Sequence, residues 1–311
     1  MSSGSVLVTG AAGLIGNAVR TALEAAGRAV IPIDRVSCTE EGKEIIECDV
    51  TDVHRLHAIA DRQRLAGIVH CGAFSGPMLA QDNPTAMVNV NIVGTANVLE
   101  VARLHGSPRF VFCSSTSAFG TTTAQAPIPE DVALFPGSVY GASKAASEQL
   151  VSTYSRQYGL DGVSLRLSWV FGPRRTTDCV IRTMIEDALA GRPTRMPFGR
   201  DFPRQYVHVD DAARALIAAL DRPALPRFTY TITGGSYLTL GEIAKVVQDA
   251  FPKADIELGA GADPVDEVQG RFDISAAEHD LGYRPSLTFE QGVKSYGKWL
   301  QERESGQLAR K

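Results

Sequence analysis

Tyr140 and Lys144 lie four residues apart in the stretch SVYGASKAASEQL. In a helix this spacing puts both side chains on one face, one turn from each other. A free tyrosine has a pKa of about 10, and a nearby ammonium group favours the phenolate. Lys144 would therefore help Tyr140 exchange a proton with a substrate alcohol, while a bound cofactor takes the hydride.

Hydroxyl groups end an apolar run, RFVFCSS, upstream of this pair. They belong to Ser114, Ser115, Thr116 and Ser117. A Ser/Thr cluster at a strand end is by default a turn or a cap. In this chain order, however, a hydroxyl there is suited to hold a substrate oxygen against Tyr140.

Three glycines, Gly10, Gly13 and Gly16, follow the apolar run SVLVT, and a helical pattern begins among them with Leu14 and Ile15. Glycines permit a tight turn and a close backbone approach, so a pyrophosphate can lie on the helix N-terminus. The context of strand, turn and helix predicts a dinucleotide site made by these five residues. A purely structural turn is the alternative.

Acidic residues end the next two apolar runs. Asp34 follows Gly16 by 18 residues, where a carboxylate accepts the adenosine ribose hydroxyls and repels a 2′-phosphate, which favours NAD over NADP. Arg35 keeps NADP open, since an arginine there pairs with that phosphate. Asp49, followed by Val50, is placed to reach the adenine, and a helix N-cap or a loop acid is equally open for it.

The order of elements predicts the fold class. Six apolar runs, each followed by a helix-length segment, read SVLVTG, AVIPID, EIIECD, GIVHCG, RFVFCSS and GVSLRL. This alternation predicts an α/β fold with a Rossmann-type, doubly wound parallel sheet. Later segments predict helices over 210–220, 240–251 and 289–303, and a strand at FTYTIT.

The alternation of apolar runs and helix-length segments ends at about Pro173. We expect a dinucleotide-binding domain over residues 1–172 that carries the catalytic groups, and a smaller, mostly C-terminal substrate lobe over 173–311. Some elements of that lobe should return to the main sheet.

Composition narrows the function class. The chain has 311 residues, 44% of them hydrophobic, and a net charge of −4, which argues against binding of nucleic acid or a membrane surface. No apolar stretch approaches the ~20 residues of a membrane span, and the first residues lack a signal-peptide pattern. Five cysteines without a CxxC pair suggest reduced packing thiols, no metal site and a cytoplasmic location.

The chain resembles the extended short-chain dehydrogenase/reductase family, the NAD-dependent epimerase/dehydratases, from Val6 to about Trp299. The resemblance rests on ordered motifs: TGAAGLIG, CDVTD, VHCGA, NVNIVGT, SSTSAFG, YGASK, RLSWVFGP, RQYVHVDDAA and LGYRPSLTFEQGV. It implies that Ser115, Tyr140 and Lys144 are catalytic, with Thr116 as a helper, and that the tyrosine and lysine also contact the cofactor.

Further roles follow from the resemblance alone. Beside the nicotinamide it places Cys71, Gly72 and Ala73. His70 belongs to the same segment, although a buried strand-end histidine is the alternative. The resemblance puts Asn91 near the cofactor and Ser75 at the substrate, and a buried core amide is open for Asn91. The helices that carry Asn91 and Tyr140 commonly form the dimer interface in this family, so a homodimer is implied.

Two departures from the family's pattern concern the substrate. Trp169 stands where members that act on nucleotide-sugars carry an asparagine against the diphosphate, and GRDFPRQY keeps Arg204 but lacks the family's glycines. Trp169 either walls the substrate cleft or caps the core. Thr116 and Ser117 replace the Asp-Glu pair of the 4,6-dehydratases, so dehydration is not expected.

Arginines are concentrated between residues 166 and 204, with eight against four acids. Arginine suits bidentate capture of carboxylate or phosphate, so an anionic substrate is expected. The candidates that bind it are Arg174, Arg175, Arg204 and, at a family position that reaches phosphate, Arg271, for which a surface ion pair is the alternative. A solvated helix face is the interpretation of Arg182, Arg192 and Arg195.

Three functions remain open at this stage. The first is an epimerase that moves hydride at a secondary alcohol carbon of a sugar or nucleotide-sugar on retained NAD. The second is a dehydrogenase of a free sugar, sugar acid or related polyol that releases NADH. The third is a non-catalytic NAD-binding scaffold.

Overall fold

A computed structural model describes residues 4–40, 43–175, 177–263 and 266–306. The strands are β1 Ser5–Thr9, β2 Val30–Asp34, β3 Cys38–Glu40, β4 Lys43–Glu47, β5 Leu65–His70, β6 Phe110–Ser115, β7 Gly162–Leu167, β8 Trp169–Phe171, β9 Thr194–Met196, β10 Pro203–Arg204, β11 Tyr206–His208, β12 Thr229–Ile232, β13 Leu238–Thr239 and β14 Ile256–Leu258. The α-helices are α1 Leu14–Ala25, α2 Val53–Ala60, α3 Pro84–Val88, α4 Gly94–Leu104, α5 Val139–Tyr158, α6 Val180–Ala190, α7 Val209–Asp221, α8 Leu240–Ala250 and α9 Phe289–Glu304.

Eight strands form the main sheet, in the order β12-β7-β6-β5-β1-β2-β4-β3. All neighbours in it pair in parallel except β3, which is antiparallel to β4. The chain starts at the centre and winds outward in both directions, so the predicted doubly wound α/β fold is confirmed. The six apolar runs of the sequence correspond to β1, β2, β4, β5, β6 and β7.

Alternate residues of β1 enter two different cores. Val6 and Val8 belong to the core that α1 and α7 cover, whereas Leu7 belongs to the core under α2, α4 and α5. Both faces are therefore apolar, which is why the strands of this sheet read as unbroken apolar runs rather than alternating ones. The carboxyl ends of the parallel strands meet at one edge.

The second half of the chain contributes some elements to the main sheet and others to a third core. β12 pairs with β7 at the edge of the main sheet, and α7 packs on α1. A third core joins α6, α8 and α9. These placements match the expectation that later elements return to the main sheet, while the division into two domains at residue 172 stays a prediction.

Local capping sets where the later helices begin. Thr239 caps α8 and Thr288 caps α9, each in a reciprocal capping box with the residue three positions on. The three helices predicted over 210–220, 240–251 and 289–303 are observed as α7, α8 and α9, with ends that differ by one residue at most.

One long helix is interrupted by a wider turn. A π-helical segment, Asn89–Val93, joins α3 to α4, and Gly94 N donates to Asn89 O five residues back. Among the described residues, no helix combines the length and apolarity needed to cross a bilayer.

Candidate functional site

The glycine turn lies between β1 and α1. Gly10 has φ 65°, and a Cβ on Gly16 would stand 2.1 Å from Gly10 O, so both positions require glycine. Gly13 is the N-cap of α1 and supplies no side chain to its amides. The first turn of a 12-residue helix therefore faces this edge without a side-chain cap or an acidic residue, and Leu14 and Ile15 open it.

Asp34 lies beside this turn at the end of β2. Its Oδ2 accepts a hydrogen bond of 3.0 Å from Ala12 N, so one carboxylate oxygen fixes the side chain against the turn. Arg35 is exposed. The geometry thus brings the acid, and not the arginine, into contact with the glycine turn.

Asp49 stabilises its own loop. Its Oδ1 accepts from Thr51 N at 2.8 Å and from Thr51 Oγ1 at 2.7 Å. The side chain that caps α2 is Asp52, so the N-cap alternative for Asp49 is wrong because the capping residue lies three positions later. Val50 is buried, and Gly94 packs against its side chain.

Ser115 ends β6, and its backbone turns into a short 3₁₀ helix, Thr116–Ala118. Ser115 Oγ accepts from Ser117 N at 3.1 Å and lies 3.2 Å from Ser117 Oγ. The hydroxyl is thus a cap and remains half-buried at the edge of the sheet, so the capping role and the catalytic expectation are compatible.

Tyr140 and Lys144 lie in the first two turns of α5, both almost fully buried. Lys144 Nζ is 5.9 Å from the Tyr140 ring centroid and 4.8 Å from that of Phe112. It donates a hydrogen bond of 2.8 Å to Cys113 O. The ammonium is therefore held between the tyrosine and β6, as the four-residue spacing predicted.

A glycine that the sequence argument passed over, Gly141, brings these groups together. A Cβ on it would stand 2.3 Å from Ser117 O, so α5 begins in direct contact with the 3₁₀ helix. The sequence signal for this contact is the glycine in YGASK. A glycine inside a helix weakens the helix, so its presence there indicates a close approach by another part of the chain.

Asn91 links the π-helical segment to both sides of the site. Its Oδ1 accepts from Phe74 N at 2.8 Å, and its Nδ2 donates to Ser143 Oγ at 2.9 Å. It is 2% exposed, so the amide is buried and hydrogen-bonded, which fits the alternative of a core amide. Its contact with Phe74 places it beside the 71–75 loop, and its role at the cofactor stays a prediction.

His70 is enclosed at the end of β5. Its Nδ1 lies 2.7 Å from Thr9 Oγ1 and its Nε2 lies 3.0 Å from Thr95 Oγ1. Burial lowers the pKa of His70 to about 3, and the charge of Lys144 adds to this effect. The histidine is therefore neutral and hydrogen-bonded, which fits the buried strand-end alternative.

The loop after His70 carries the residues expected beside the nicotinamide. Cys71, Gly72 and Ala73 are half-buried, and Ser75 is exposed. Gly72 N donates to Thr9 Oγ1 at 2.9 Å, which holds the loop against β1. The hydrogen bond with Cys113, together with burial, raises the pKa of Cys71 well above its usual value, so this cysteine is a neutral thiol.

A cleft opens next to the 3₁₀ helix. Its lining residues are Thr116, Trp169, Pro203, Arg204, Gln205, Asp266, Glu267, Gln269 and Phe272. Trp169 begins β8, which pairs with β11, and it also packs on the core of α6, α8 and α9. The indole therefore contacts the core and also lines this cleft, and its role at a substrate stays a prediction.

Arg204 is buried in this cleft against Trp169, with its guanidinium carbon 4.7 Å from the indole ring. Its Nη2 lies 2.7 Å from Asp263 Oδ2 and 2.6 Å from Asp266 Oδ2, and its Nη1 donates to Tyr206 Oη at 3.1 Å. Two carboxylates thus share one nitrogen of a single arginine.

The other predicted substrate arginines lie elsewhere. Arg175 is buried and donates to the carbonyls of Val170 and Asp178, so its charge braces the loop after β8, and the binding role predicted for it does not fit. Arg174 is half-buried with φ 72°. Arg271 is exposed. Within the described ranges, the cleft lining includes none of these three.

Gln269 lies where Arg271 was expected. Its Nε2 donates to Thr116 O at 2.8 Å and to Gly120 O at 3.2 Å, which ties the 266–272 segment to the 116–120 loop. Glu267 makes a second tie, since its Oε1 accepts from Gly137 N at 2.5 Å. The acidic stretch DPVDEVQ carried no motif signal, and its place in the site depends on the fold.

The arginine excess is largely balanced by acids. Ion pairs join Arg166 to Glu148, Arg182 to Glu186, Arg192 to Asp187, Arg195 to Asp255 and Glu257, and Arg200 to Asp201. Several of these acids, like Asp263 and Asp266, lie outside residues 166–204. Counting charged residues only between positions 166 and 204 therefore overestimated the net positive charge around these arginines. Arg195 lies on β9 rather than on a helix.

Comparisons with known proteins agree with this geometry. The model of the NAD dependent epimerase/dehydratase family matches residues 6–232. UDP-glucuronate 4-epimerase 4 of Arabidopsis thaliana is 28% identical over 97% of this chain and 76% of its own length. The crystal structure of Thermotoga maritima UDP-glucose 4-epimerase with UDP-glucose is 26% identical, covers 96% and 99% of the two chains, and has a TM-score of 0.89. The complex of Thermus thermophilus UDP-glucose 4-epimerase with NAD is 27% identical over 96% and 99%, with a TM-score of 0.85.

Proposed function

Because the chain belongs to the NAD dependent epimerase/dehydratase family, we propose that it is an epimerase that inverts a secondary alcohol carbon of a nucleotide-sugar. The expected family, enzyme class and NAD cofactor are confirmed by that membership. The observation that carries the proposal is the convergence of Ser115, Tyr140 and Lys144 at the edge of the sheet that also holds the glycine turn.

The residues at that edge fit NAD. The turn at Gly10 and Gly16 leaves no room for a side chain, and the uncapped start of α1 suits a pyrophosphate. Asp34, fixed on Ala12 N, is placed to accept the ribose hydroxyls. When bound, NAD supplies the hydride acceptor and donor beside the loop of Cys71, Gly72 and Ala73.

Side chains of the protein transfer the proton of the substrate hydroxyl. Tyr140 takes the proton of the substrate hydroxyl, and the ammonium of Lys144 beside its ring stabilises the phenolate form during the transfer. Ser115 Oγ, held by Ser117 N, donates a hydrogen bond to the same oxygen. Inversion then requires the sugar ring to present its other face before Tyr140 returns the proton.

We propose a UDP-sugar as the substrate and C4 as its reacting carbon. The curated relative is named a UDP-glucuronate 4-epimerase, and the similar structures are UDP-glucose 4-epimerases. With the reacting sugar at Ser115, the neighbouring cleft of Trp169 and Arg204 would receive the group beyond the sugar.

A dehydrogenase of a free sugar acid is the second candidate. Trp169 narrows the cleft, and Asp263 and Asp266 already occupy Arg204. A small substrate that ends before Arg204 would need no diphosphate site.

An assay of products separates these functions. The purified protein is incubated with NAD and with UDP-glucuronate, UDP-glucose or free sugar acids, and both the sugar products and NADH absorbance are followed. An epimerase yields the C4 epimer without net NADH. Stoichiometric NADH from a sugar acid without interconversion would establish the dehydrogenase, and turnover of none of them would favour the scaffold.

We also propose a homodimer through the helices that carry Asn91 and Tyr140. Several apolar side chains on these helices are exposed: Val88, Val93, Leu104, Val139 and Tyr158. Such side chains suit a helical interface. The proposed cytoplasmic location is supported by the thiols of Cys48, Cys71, Cys113 and Cys179, which a reducing compartment keeps reduced.

A further inference from the structure

Two carboxylates share the guanidinium of Arg204. Its Nη2 meets both Asp263 and Asp266, and Glu267 follows on the same segment. The side chains of Arg204 and Asp266 are 6% and 11% exposed, so Asp266 shares its cation in a poorly solvated place. A buried carboxylate in such a place is costly unless a proton or a second donor compensates its charge.

The two carboxylates are not equivalent. Asp263 Oδ2 accepts a hydrogen bond from Arg204 Nη2. Asp266 Oδ2 lies as close, at 2.6 Å, but has no hydrogen-bond donor among the described residues. Arg204 Nε is likewise buried without a partner in the described part of the chain. Arg204 therefore binds Asp266 more weakly than it binds Asp263. The Nε–H of Arg204, which lines the cleft, can still donate a hydrogen bond.

We propose that Asp266 is a specificity-determining residue: it neutralises Arg204 in the free enzyme, and it takes a proton from solvent when the anionic group of the substrate contacts that arginine. This inference rests on the proposed function, because it assigns the diphosphate of a nucleotide-sugar to the cleft of Trp169 and Arg204. Asp266 would thus select against weakly bound anions by competing with them.

The charges around Asp266 give the direction of the pH effect. Burial raises the pKa of Asp266 to about 6, Arg204 opposes this rise, and Asp263 and Glu267 add to it. An anion at Arg204 adds negative charge beside Asp266 and so binds best when Asp266 is protonated. Affinity should therefore fall as pH rises above about 6, at most on the order of tenfold per pH unit.

Calorimetric titration with UDP tests this inference. At pH 8, Asp266→Asn is expected to bind UDP about tenfold more tightly or better than the wild type, and the gap should close at pH 5.5. Uridine, which has no diphosphate, should bind both proteins alike. Asp255→Asn is the matched control, because Asp255 pairs with Arg195 at 2.6 Å on an exposed surface.

The wild type provides a second readout that needs no variant. In buffers of different ionisation enthalpy, the binding of UDP-glucose at pH 7 should take up protons; UDP-glucose is the probe here because, unlike UDP, it has no terminal phosphate that titrates near pH 6. Retained NAD affinity shows that Asp266→Asn is folded. UDP binding that is unchanged or weaker in the variant, or UDP-glucose binding that takes up no proton in the wild type, overturns the inference alone. Binding of UDP to neither protein overturns the nucleotide-sugar assignment as well. A gain in UDP affinity without epimerisation would overturn only the proposed reaction.

Discussion

At the scale of single residues, some groups of the site can be predicted from sequence motifs and others cannot. Tyr140, Lys144 and Ser115 stand in short motifs whose chemistry can be named from residue type and spacing. Asp266 could not be found this way, because it meets Arg204 only after 62 residues of chain have folded. Arg271 was predicted from its match to a family position that reaches phosphate, but Gln269 lines the cleft instead.

Replacing Tyr140 with Phe should remove turnover and keep NAD binding. The variant retains the ring beside Lys144 but lacks the proton-carrying oxygen, so we expect kcat to fall by about 10² to 10⁴. The measurement is steady-state epimerisation together with NAD titration. Tyr158→Phe, at the exposed end of the same helix, should behave like the wild type. An active Tyr140→Phe variant would show that another group transfers the proton.

His70 should make the fold sensitive to acid. Its pKa is about 3 in the folded protein and about 6.5 when unfolded. The unfolded chain therefore binds the proton first as pH falls below about 6.5, and stability decreases by about 1.4 kcal/mol per pH unit from there toward 3. Urea unfolding at pH 7.5 and 5.5 measures this loss.

Two variants identify the source of that pH dependence. His70→Asn should give a flatter change of unfolding free energy with pH, whereas His54→Asn, at an exposed position, should keep the slope of the wild type. Equal slopes for wild type and His70→Asn would contradict the assignment to His70.

At the scale of elements, the strands of the main sheet could be predicted from the sequence, but the short strands and contacts that connect the elements could not. β1, β5 and β6 are apolar on both faces because helices cover both, and such runs are visible in any window of the sequence. β8 and β11 have three residues each and are defined by pairing with each other, which no local pattern encodes. The same holds for the contact of α5 with the 3₁₀ helix through Gly141.

A buried ion pair fixes α5 to the neighbouring strands. Glu148 pairs with Arg166 on β7 and accepts from Ser114 Oγ on β6, next to Ser115. Glu148→Gln leaves the buried charge of Arg166 uncompensated, so we expect a loss of about 3–5 kcal/mol in the free energy of unfolding. Denaturant titration measures this loss.

The control for this variant is an ion pair in solvent. Lys245 and Asp249 pair on α8 with both side chains mostly exposed, and Asp249→Asn should leave the denaturation midpoint unchanged. Equal effects of Glu148→Gln and Asp249→Asn would show that the Glu148 pair contributes no more than a surface contact.

At the scale of the whole molecule, chain order and spatial order differ. β12 completes the edge of the sheet beside β7, and α7 covers β5, β6 and β7 from the same side as α1. Asp211 on α7 then accepts from Ser286 and so ties the main sheet to the segment before α9. The sequence predicted that later elements return to the sheet, but only the pairing register identifies which strand receives them.

A fragment of residues 1–172 should therefore fail to form a stable domain. Without α7 it exposes the apolar face of β1 and β5 that contains Val6, Val8 and Val69, and β7 becomes a bare edge strand. Circular dichroism and thermal melting of the fragment, with the full chain as control, measure this. A cooperative transition in the fragment would support an independent domain that ends at residue 172.

The π-helical segment has a consequence for how this protein tolerates change in length. In this segment Asn91 O accepts the hydroxyls of both Thr95 and Ser147, and the Asn91 side chain reaches Phe74 and Ser143. Such a segment amounts to one surplus residue in a regular helix. Deleting a residue there would restore an unbroken helix without the wider turn that places Asn91 against Phe74 and Ser143. The loss of one residue should therefore disturb the site more than it disturbs the flanking helices.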